Sequence, residues 1–209
     1  MSVTSYLTIG RDVEVATEAK RSRFLCRLAR VASEEAARAV VEEERRRHWA
    51  AGHHCSAFVL GPTGEVLRSS DDGEPSGTAG APMLEVLRGH EVSDVVAVVS
   101  RWFGGVLLGA GGLVRAYSDA VRAGLEEAGV RERRLMHRYD VRVPHGDAGK
   151  LEHGLRAAGV VVRGVDYAAE ATLHLAVPTG AMGQLPHVLA DLSGGELTAV
   201  PVGSDWVDG

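Results

Sequence analysis

Val95-Val96-Ala97-Val98-Val99-Ser100-Arg101-Trp102-Phe103-Gly104-Gly105-Val106-Leu107-Leu108-Gly109-Ala110-Gly111-Gly112 joins an unbroken run of strand-forming residues to a helical pattern that begins at Leu113. Apolar residues on both faces of Val95–Val99 mark a buried strand. Beyond the glycines, Leu113, Ala116, Tyr117, Ala120, Val121, Leu125 and Ala128 recur at the spacing of one helix face. Five glycines in the nine positions from Gly104 to Gly112 are costly in chain entropy and pack little. Such a loop persists where backbone turns sharply or approaches something closely. Arg101, Trp102 and Phe103 stand at its entrance, so the joint between strand and helix also reads as a site.

Upstream, the first 20 residues read as an extended lead-in, with Val3, Leu7, Ile9, Val13 and Val15 in alternation. A strand over Arg21–Val31 turns Phe24, Cys26 and Leu28 to one face. Ser33 caps a helix to about Arg47 with Ala36, Ala37, Val40 and Val41 as its apolar stripe. Its Glu34–Arg38, Glu42–Arg46 and Glu43–Arg47 pairs are spaced i,i+4 and make a solvated face. Strands His53–Leu60 and Glu65–Ser69 flank the turn Gly61-Pro62-Thr63-Gly64, and a polar loop, Ser70–Gly80, precedes a short helix, Pro82–Leu87.

Downstream, Gly129 ends the long helix and Arg131-Glu132-Arg133-Arg134 reads as a linker. The remainder gives strand Arg138–Val143, a helix from Asp147 to Gly159, strands Val160–Tyr167 and Ala169–Val177, helix Thr179–Leu192 and strand Glu196–Val202. That order is βαββαβ, a split-βαβ, ferredoxin-like sandwich. The predicted fold class is therefore α+β, in two domains over residues 1–134 and 135–209.

The 209 residues are 45% hydrophobic and 24% charged, ordinary for a soluble globular chain. No apolar run approaches the roughly 18 residues of a membrane span. Met1-Ser2-Val3-Thr4-Ser5-Tyr6 lacks the basic start and apolar core of a signal peptide, so a cytoplasmic location and no membrane partner are expected. Of the net charge of −5, residues 136–209 carry most, with 5 Lys/Arg against 9 Asp/Glu, while residues 1–135 carry 18 against 19. Neither half is a bulk-basic nucleic-acid binder, and any RNA contact belongs to the first half. Cys26 and Cys55 are the only cysteines and are expected reduced and buried.

Three segments carry candidate chemistry. Gly109–Gly112 open a helix whose free N–H groups and dipole suit an anion, with Arg101 or Arg115 adding charge; the same glycines also serve a tight, small-residue connection. No Lys-Ser/Thr follows, and the GxGxxG spacing is absent. Asp71, Asp72 and Glu74 offer carboxylates to a hard cation without calcium-loop spacing, or else a solvated hairpin loop, and Ser76 and Thr78 lie beside Gly77 and Gly80. In His53-His54-Cys55, His53 and Cys55 share a strand face that His54 does not. A core-facing Cys55 is expected, with a His53–Cys55 couple beside Asp71 or Asp72 as the enzymatic variant. Trp102 and Phe103 face opposite ways, one in the core and one free to stack on a base, near a basic edge of Lys20, Arg21, Arg23 and Arg101. His145, His153, His174 and His187 have no ligand spacing and are expected as scattered surface residues.

Lys20-Arg21-Ser22-Arg23-Phe24, His53-His54-Cys55, Asp71 through Gly80 with Pro82-Met83-Leu84, and Arg101 through Tyr117 together resemble the YigZ/IMPACT family. The resemblance implies a first domain with the fold of the second domain of a small-subunit ribosomal protein, and a role in translation regulation. It also implies an appended ferredoxin-like domain similar to the last domain of elongation factor G. On this basis the expected function is a non-catalytic, translation-associated protein whose first domain contacts the ribosome, RNA or a protein partner. The expected binding residues are His53, Asp71, Asp72, Glu74, Ser76, Thr78, Arg101, Trp102, Gly104, Gly105, Gly109, Gly111, Gly112 and Arg115. No catalytic residue, metal or cofactor is assigned. The alternative is an enzyme acting on a phosphorylated or nucleotide small molecule, with Gly109–Gly112 as its phosphate site.

Overall fold

The structure, a computed structural model, describes residues 3–209, and the chain falls into two compact units, 1–132 and 133–209. Each has its own α+β layering and hydrophobic core.

In the first unit, β1 (Ser5–Ile9), β2 (Val13–Ala19), β3 (Ser22–Arg30), β4 (His53–Leu60), β5 (Val66–Ser70) and β6 (Val95–Trp102) accompany α1 (Glu34–Arg47), α2 (Gly80–Gly89) and α3 (Ala110–Ala128). Five strands form an antiparallel sheet in the order β2-β3-β6-β4-β5. β6 is its centre, which is why Val95–Val99 are all buried. Val95, Ala97 and Val99 join Phe24, Cys26, Leu28 and Cys55 in the core under α2 and α3. Val96 and Val98 face the other way and pack with Ala29, Phe58 and Ala37, under α1.

The extended lead-in resolves into two strands. Its alternating half is β2, paired residue for residue with β3 from Val13↔Leu28 to Ala19↔Ser22. Its first half is β1, held by Tyr6 Oη–Asp94 and by Ser93 N–H to Leu7 O at 2.8 Å. Lys20 and Arg21 adopt positive φ (44° and 69°) and turn β2 into β3, so β3 starts at Ser22. α3 starts at Ala110, which places Gly111 and Gly112 in its first turn instead of in the loop.

The second unit takes over from Arg133 within β7 (Val130–Val143) and continues as α4 (His145–Ala157), β8 (Val161–Tyr167), β9 (Ala171–Pro178), a 3-10 turn (Thr179–Gln184), α5 (Leu185–Ser193) and β10 (Val200–Asp208). Its strands lie antiparallel in the order β10-β7-β9-β8, as a βαββαβ chain requires when both helices cover one face. Leu151, Leu155, Leu185 and Leu189 of the helices meet Val141, Val143, Leu173 and Leu175 of the sheet. Both edge strands carry a bulge, between Val162 and Gly164 in β8 and between Pro201 and Gly203 in β10.

Two boundaries differ from expectation. Arg131–Arg134 are strand and not linker: their charge is matched across the sheet, with Arg133 opposite Asp208 (3.5 Å) and donating from Nη2 to Trp206 O at 2.5 Å. The final strand runs over Val200–Asp208 and not Glu196–Val202. Gly194 and Gly195 take positive φ and Leu197 N–H donates to Ser193 Oγ at 3.1 Å, so the chain is still turning there.

Candidate functional site

β5 delivers the chain directly into the Asp71–Gly80 loop, and the loop closes on its own first residue. The Asp71 carboxylate accepts N–H groups from Gly77 (2.8 Å), Ala79 (3.0 Å) and Gly80 (2.8 Å). α2 has no side-chain cap at Ala79, so Asp71 serves as its cap from nine residues away and places its negative charge at the positive end of the helix. Burial raises the Asp71 carboxyl, but the three N–H donors outweigh it and hold the group below the usual carboxylate range. Gly80 is required by the closure, since a Cβ there would lie 2.7 Å from Ser70 N. Asp72, at φ 44°, accepts the His54 N–H at 2.6 Å and pairs with Arg45 at 2.6 Å, while its carbonyl bonds His53 Nδ1 at 2.8 Å. Thr78 Oγ1 donates to Pro75 O at 2.6 Å; Ser76 is exposed.

Beneath this loop lies a buried polar knot. Arg101, near the end of β6, donates from Nη1 to Glu74 Oε1 at 2.6 Å, and Tyr117 of α3 donates to the same oxygen at 2.7 Å. Arg101 Nη2 reaches Ser22 Oγ at 3.4 Å, and its guanidinium sits 5.5 Å from the Phe24 ring centre and 5.7 Å from that of Phe103. Loop, sheet and α3 are thereby tied through one ion pair whose side chains are 7% and 4% exposed.

Cys55 faces the same core, donating to Asp71 O at 3.0 Å and Tyr117 Oη at 3.3 Å. Burial pushes its thiol up to about 12, and does the same to Cys26. His53 and Cys55 are not hydrogen-bonded to each other: His53 Nδ1 bonds Asp72 O, and Cys55 bonds Asp71 O and Tyr117 Oη. His54, on the other face, bonds Ser100 Oγ at 2.9 Å, and burial lowers its imidazole pKa. Among the described residues no group of three His, Cys, Asp or Glu side chains could hold a metal ion.

The glycines after β6 have separate reasons to be glycine. A Cβ on Gly104 would fall 1.9 Å from Arg21 O, so the Lys20–Arg21 turn packs directly on this backbone. Gly105 and Gly109 need positive φ (82° and 75°). A Cβ on Gly112 would lie 2.9 Å from Leu108 Cβ. A Cβ on Gly111 would point into open space. The first turn of α3 is exposed at Gly109–Gly111, has no side-chain cap, and carries exposed Arg115 one turn on.

Trp102 and Phe103 correct the expectation that one of them is core. Trp102 is half-buried between the Arg23 guanidinium, 5.1 Å from its ring centre, and the His48 ring at 5.5 Å; Phe103 is 58% exposed. The structure therefore draws His53, Asp71, Asp72, Glu74, Thr78 and Arg101 together around the Asp71–Gly80 loop, places Trp102 and Gly104 beside the Lys20–Arg21 turn, and leaves Gly109, Gly111 and Arg115 at the open end of α3. Tyr117, Ser22, Arg45 and His48 also take part. Helical spacing marked Tyr117 as core, but nothing in the pattern indicates that its hydroxyl reaches Glu74.

Compared with known proteins, residues 20–125 match the family model described as the Impact N-terminal domain, and residues 141–196 one described as a domain of unknown function, DUF1949. The chain is 40% identical over 201 residues to the IMPACT family member YvyE of Bacillus subtilis (strain 168), covering 93% of each. It is 38% identical over 200 residues to the IMPACT family member YigZ of Escherichia coli (strain K12), covering 95% of this chain and 98% of that one. A crystal structure of a hypothetical protein, 38% identical, superposes with a TM-score of 0.66 over 95% of this chain and 98% of its own.

Proposed function

Because the chain belongs to the IMPACT family, we propose that it is a non-catalytic, translation-associated protein of the cytoplasm that contacts the ribosome, RNA or a translation-related protein through its first unit. The observation that carries this reading is the engagement of Asp71, Glu74 and Cys55 within the fold itself. Asp71 caps α2, Glu74 is held by Arg101 and Tyr117, and the Cys55 thiol stands at about 12. Groups so engaged give a rigid, pre-organised surface suited to docking a partner. No described helix is long and apolar enough to cross a membrane.

The test is co-sedimentation of the full chain with purified ribosomes through a sucrose cushion at low salt, with exposed Arg115 replaced in a second sample. Pelleting that falls with salt and is lost in Arg115→Glu supports the reading. Failure to pellet at low salt rejects direct ribosome contact. The alternative of an enzyme acting on a phosphorylated or nucleotide small molecule draws on the uncapped N-terminus of α3 at Gly109–Gly112. Turnover of a nucleoside triphosphate that is lost in Gly111→Glu would favour it.

A further inference from the structure

Some cations of the first unit are paired with carboxylates; others, Arg46, Arg88 and Arg115 among them, are exposed with no carboxylate partner among the described residues. Arg27, Arg38, Arg45, Arg47 and Arg68 each face a carboxylate. Lys20, Arg21 and Arg23 are exposed, and none pairs with a carboxylate among the described residues. Glu18 stands opposite Arg23 in the β2–β3 register, yet Arg23 lies over the Trp102 ring instead of bridging to it. Two exposed aromatics of the first unit, Trp49 and Phe103, stand near this corner. α1 ends with His48 against Trp102, and Gly52 N–H donates to Arg101 O at 2.9 Å, so the backbone of the intervening Trp49 runs beside the end of β6. Trp49 is 83% exposed and Phe103 58%. Of the chain's three Trp and three Phe, Trp49, Trp102 and Phe103 all lie here.

Exposed rings beside unpaired cations are the combination that binds a single strand. Bases stack on the aromatic faces, and phosphates meet charges that no carboxylate of the chain already neutralises. A purely apolar partner would leave Lys20, Arg21 and Arg23 desolvated without compensation. We propose that this corner binds a short segment of single-stranded RNA, with Trp49 and Phe103 as stacking platforms and Lys20, Arg21 and Arg23 on the phosphates; the choice of RNA rests on the translation-associated reading above. Three phosphate contacts on a single strand give a slope of log affinity against log salt of about −2. The first unit as a whole is not basic, so the footprint is local.

The experiment is fluorescence anisotropy of a fluorescein-labelled twelve-nucleotide oligo(U) with the full chain, across ~25–200 mM KCl. Binding is expected with the shallow slope above. Trp49→Ala should weaken it about tenfold, Lys20→Glu with Arg21→Glu should abolish it, and Arg68→Glu, at a paired position, should leave it unchanged. Trp49 is exposed, so its variant keeps the fold, which circular dichroism verifies. Absence of binding at the lowest salt, or equal binding by Trp49→Ala, overturns the proposal. So does an oligo-glutamate peptide or oligo(dT) that binds tighter than oligo(U), the first pointing to a protein partner. Ribosome pelleting of the parent that persists in Trp49→Ala would remove this inference and leave the translation-associated reading standing; loss of pelleting in the parent removes that reading instead.

Discussion

Arg101 and Glu74, 27 positions apart in sequence, meet at 2.6 Å in the interior of the first unit, and the Tyr117 hydroxyl shares the same carboxylate oxygen. The two segments most suggestive of a ligand site are thus bound first to each other. Removing one partner strands a buried charge, so Arg101→Ala or Glu74→Ala should each cost about 3–5 kcal/mol. Arg101→Met combined with Glu74→Leu should cost less than the sum of the single changes. Urea unfolding and a double-mutant cycle measure both.

Asp71 gives a pH dependence of known sign. Its folded-state pKa is depressed by three backbone donors against the opposing effect of burial. The stabilisation is therefore complete above the unfolded value, about 3.9, and is lost as pH falls through the lower folded value. Asp71→Ala should cost about 1–2 kcal/mol at neutral pH as the α2 cap is lost. Urea midpoints of Asp71→Asn should fall less steeply below about pH 4 than those of the parent.

His174 gives the opposite sign in the second unit. Its imidazole sits between Asp140 (2.7 Å) and Asp166 (3.0 Å), and the bond to Asp140, then that to Asp166, raises its pKa. This stabilisation is fully present below the unfolded value of about 6.5 and disappears as pH rises through the folded one. NMR titration of the ring should show the raised midpoint. It should return toward the ordinary value in Asp140→Asn.

Gly104 and Gly111 separate close packing from mere tolerance. Gly104→Ala drives a methyl onto Arg21 O and should destabilise by about 1–3 kcal/mol. Gly111→Ala meets open space in a helical turn and should stabilise by about 0.5–1 kcal/mol. Thermal melts of the two variants should move in opposite directions.

Both thiols should be silent toward a thiol reagent at about pH 8 in the folded protein and titrate as two equivalents on unfolding, since burial holds each at about 12. A fast-reacting thiol in the native chain would contradict the placement of Cys55.

Periodic patterns made much of the fold legible. The all-apolar run Val95–Val99 marked the central strand, the seven-residue stripe from Leu113 to Ala128 marked α3, and the element order of the second unit marked its topology. Charge misled the reading at Arg131–Arg134, because a run of cations resembles a linker until Asp208 and the Trp206 carbonyl appear opposite it. The candidate site was legible as residues but not as roles. Asp71, Glu74 and Arg101 carry the polar groups a ligand site needs, and only their three-dimensional partners show that Asp71 replaces an anion at a helix end and that Arg101 already has its counter-ion. Trp49 went unnoticed because a single aromatic past a helix terminus has no pattern of its own.

The interruptions in β8 and β10 bear on how the protein behaves when crowded. An open sheet offers unpaired N–H and C=O groups along each border, a template on which a foreign strand can lengthen it. A displaced residue beside Gly164 breaks that template on one border, and the shift between Gly203 and Pro201, which has no N–H to donate, breaks it on the other. The second unit accordingly resists edge-to-edge polymerisation through its backbone, without relying on repulsion between its charged side chains.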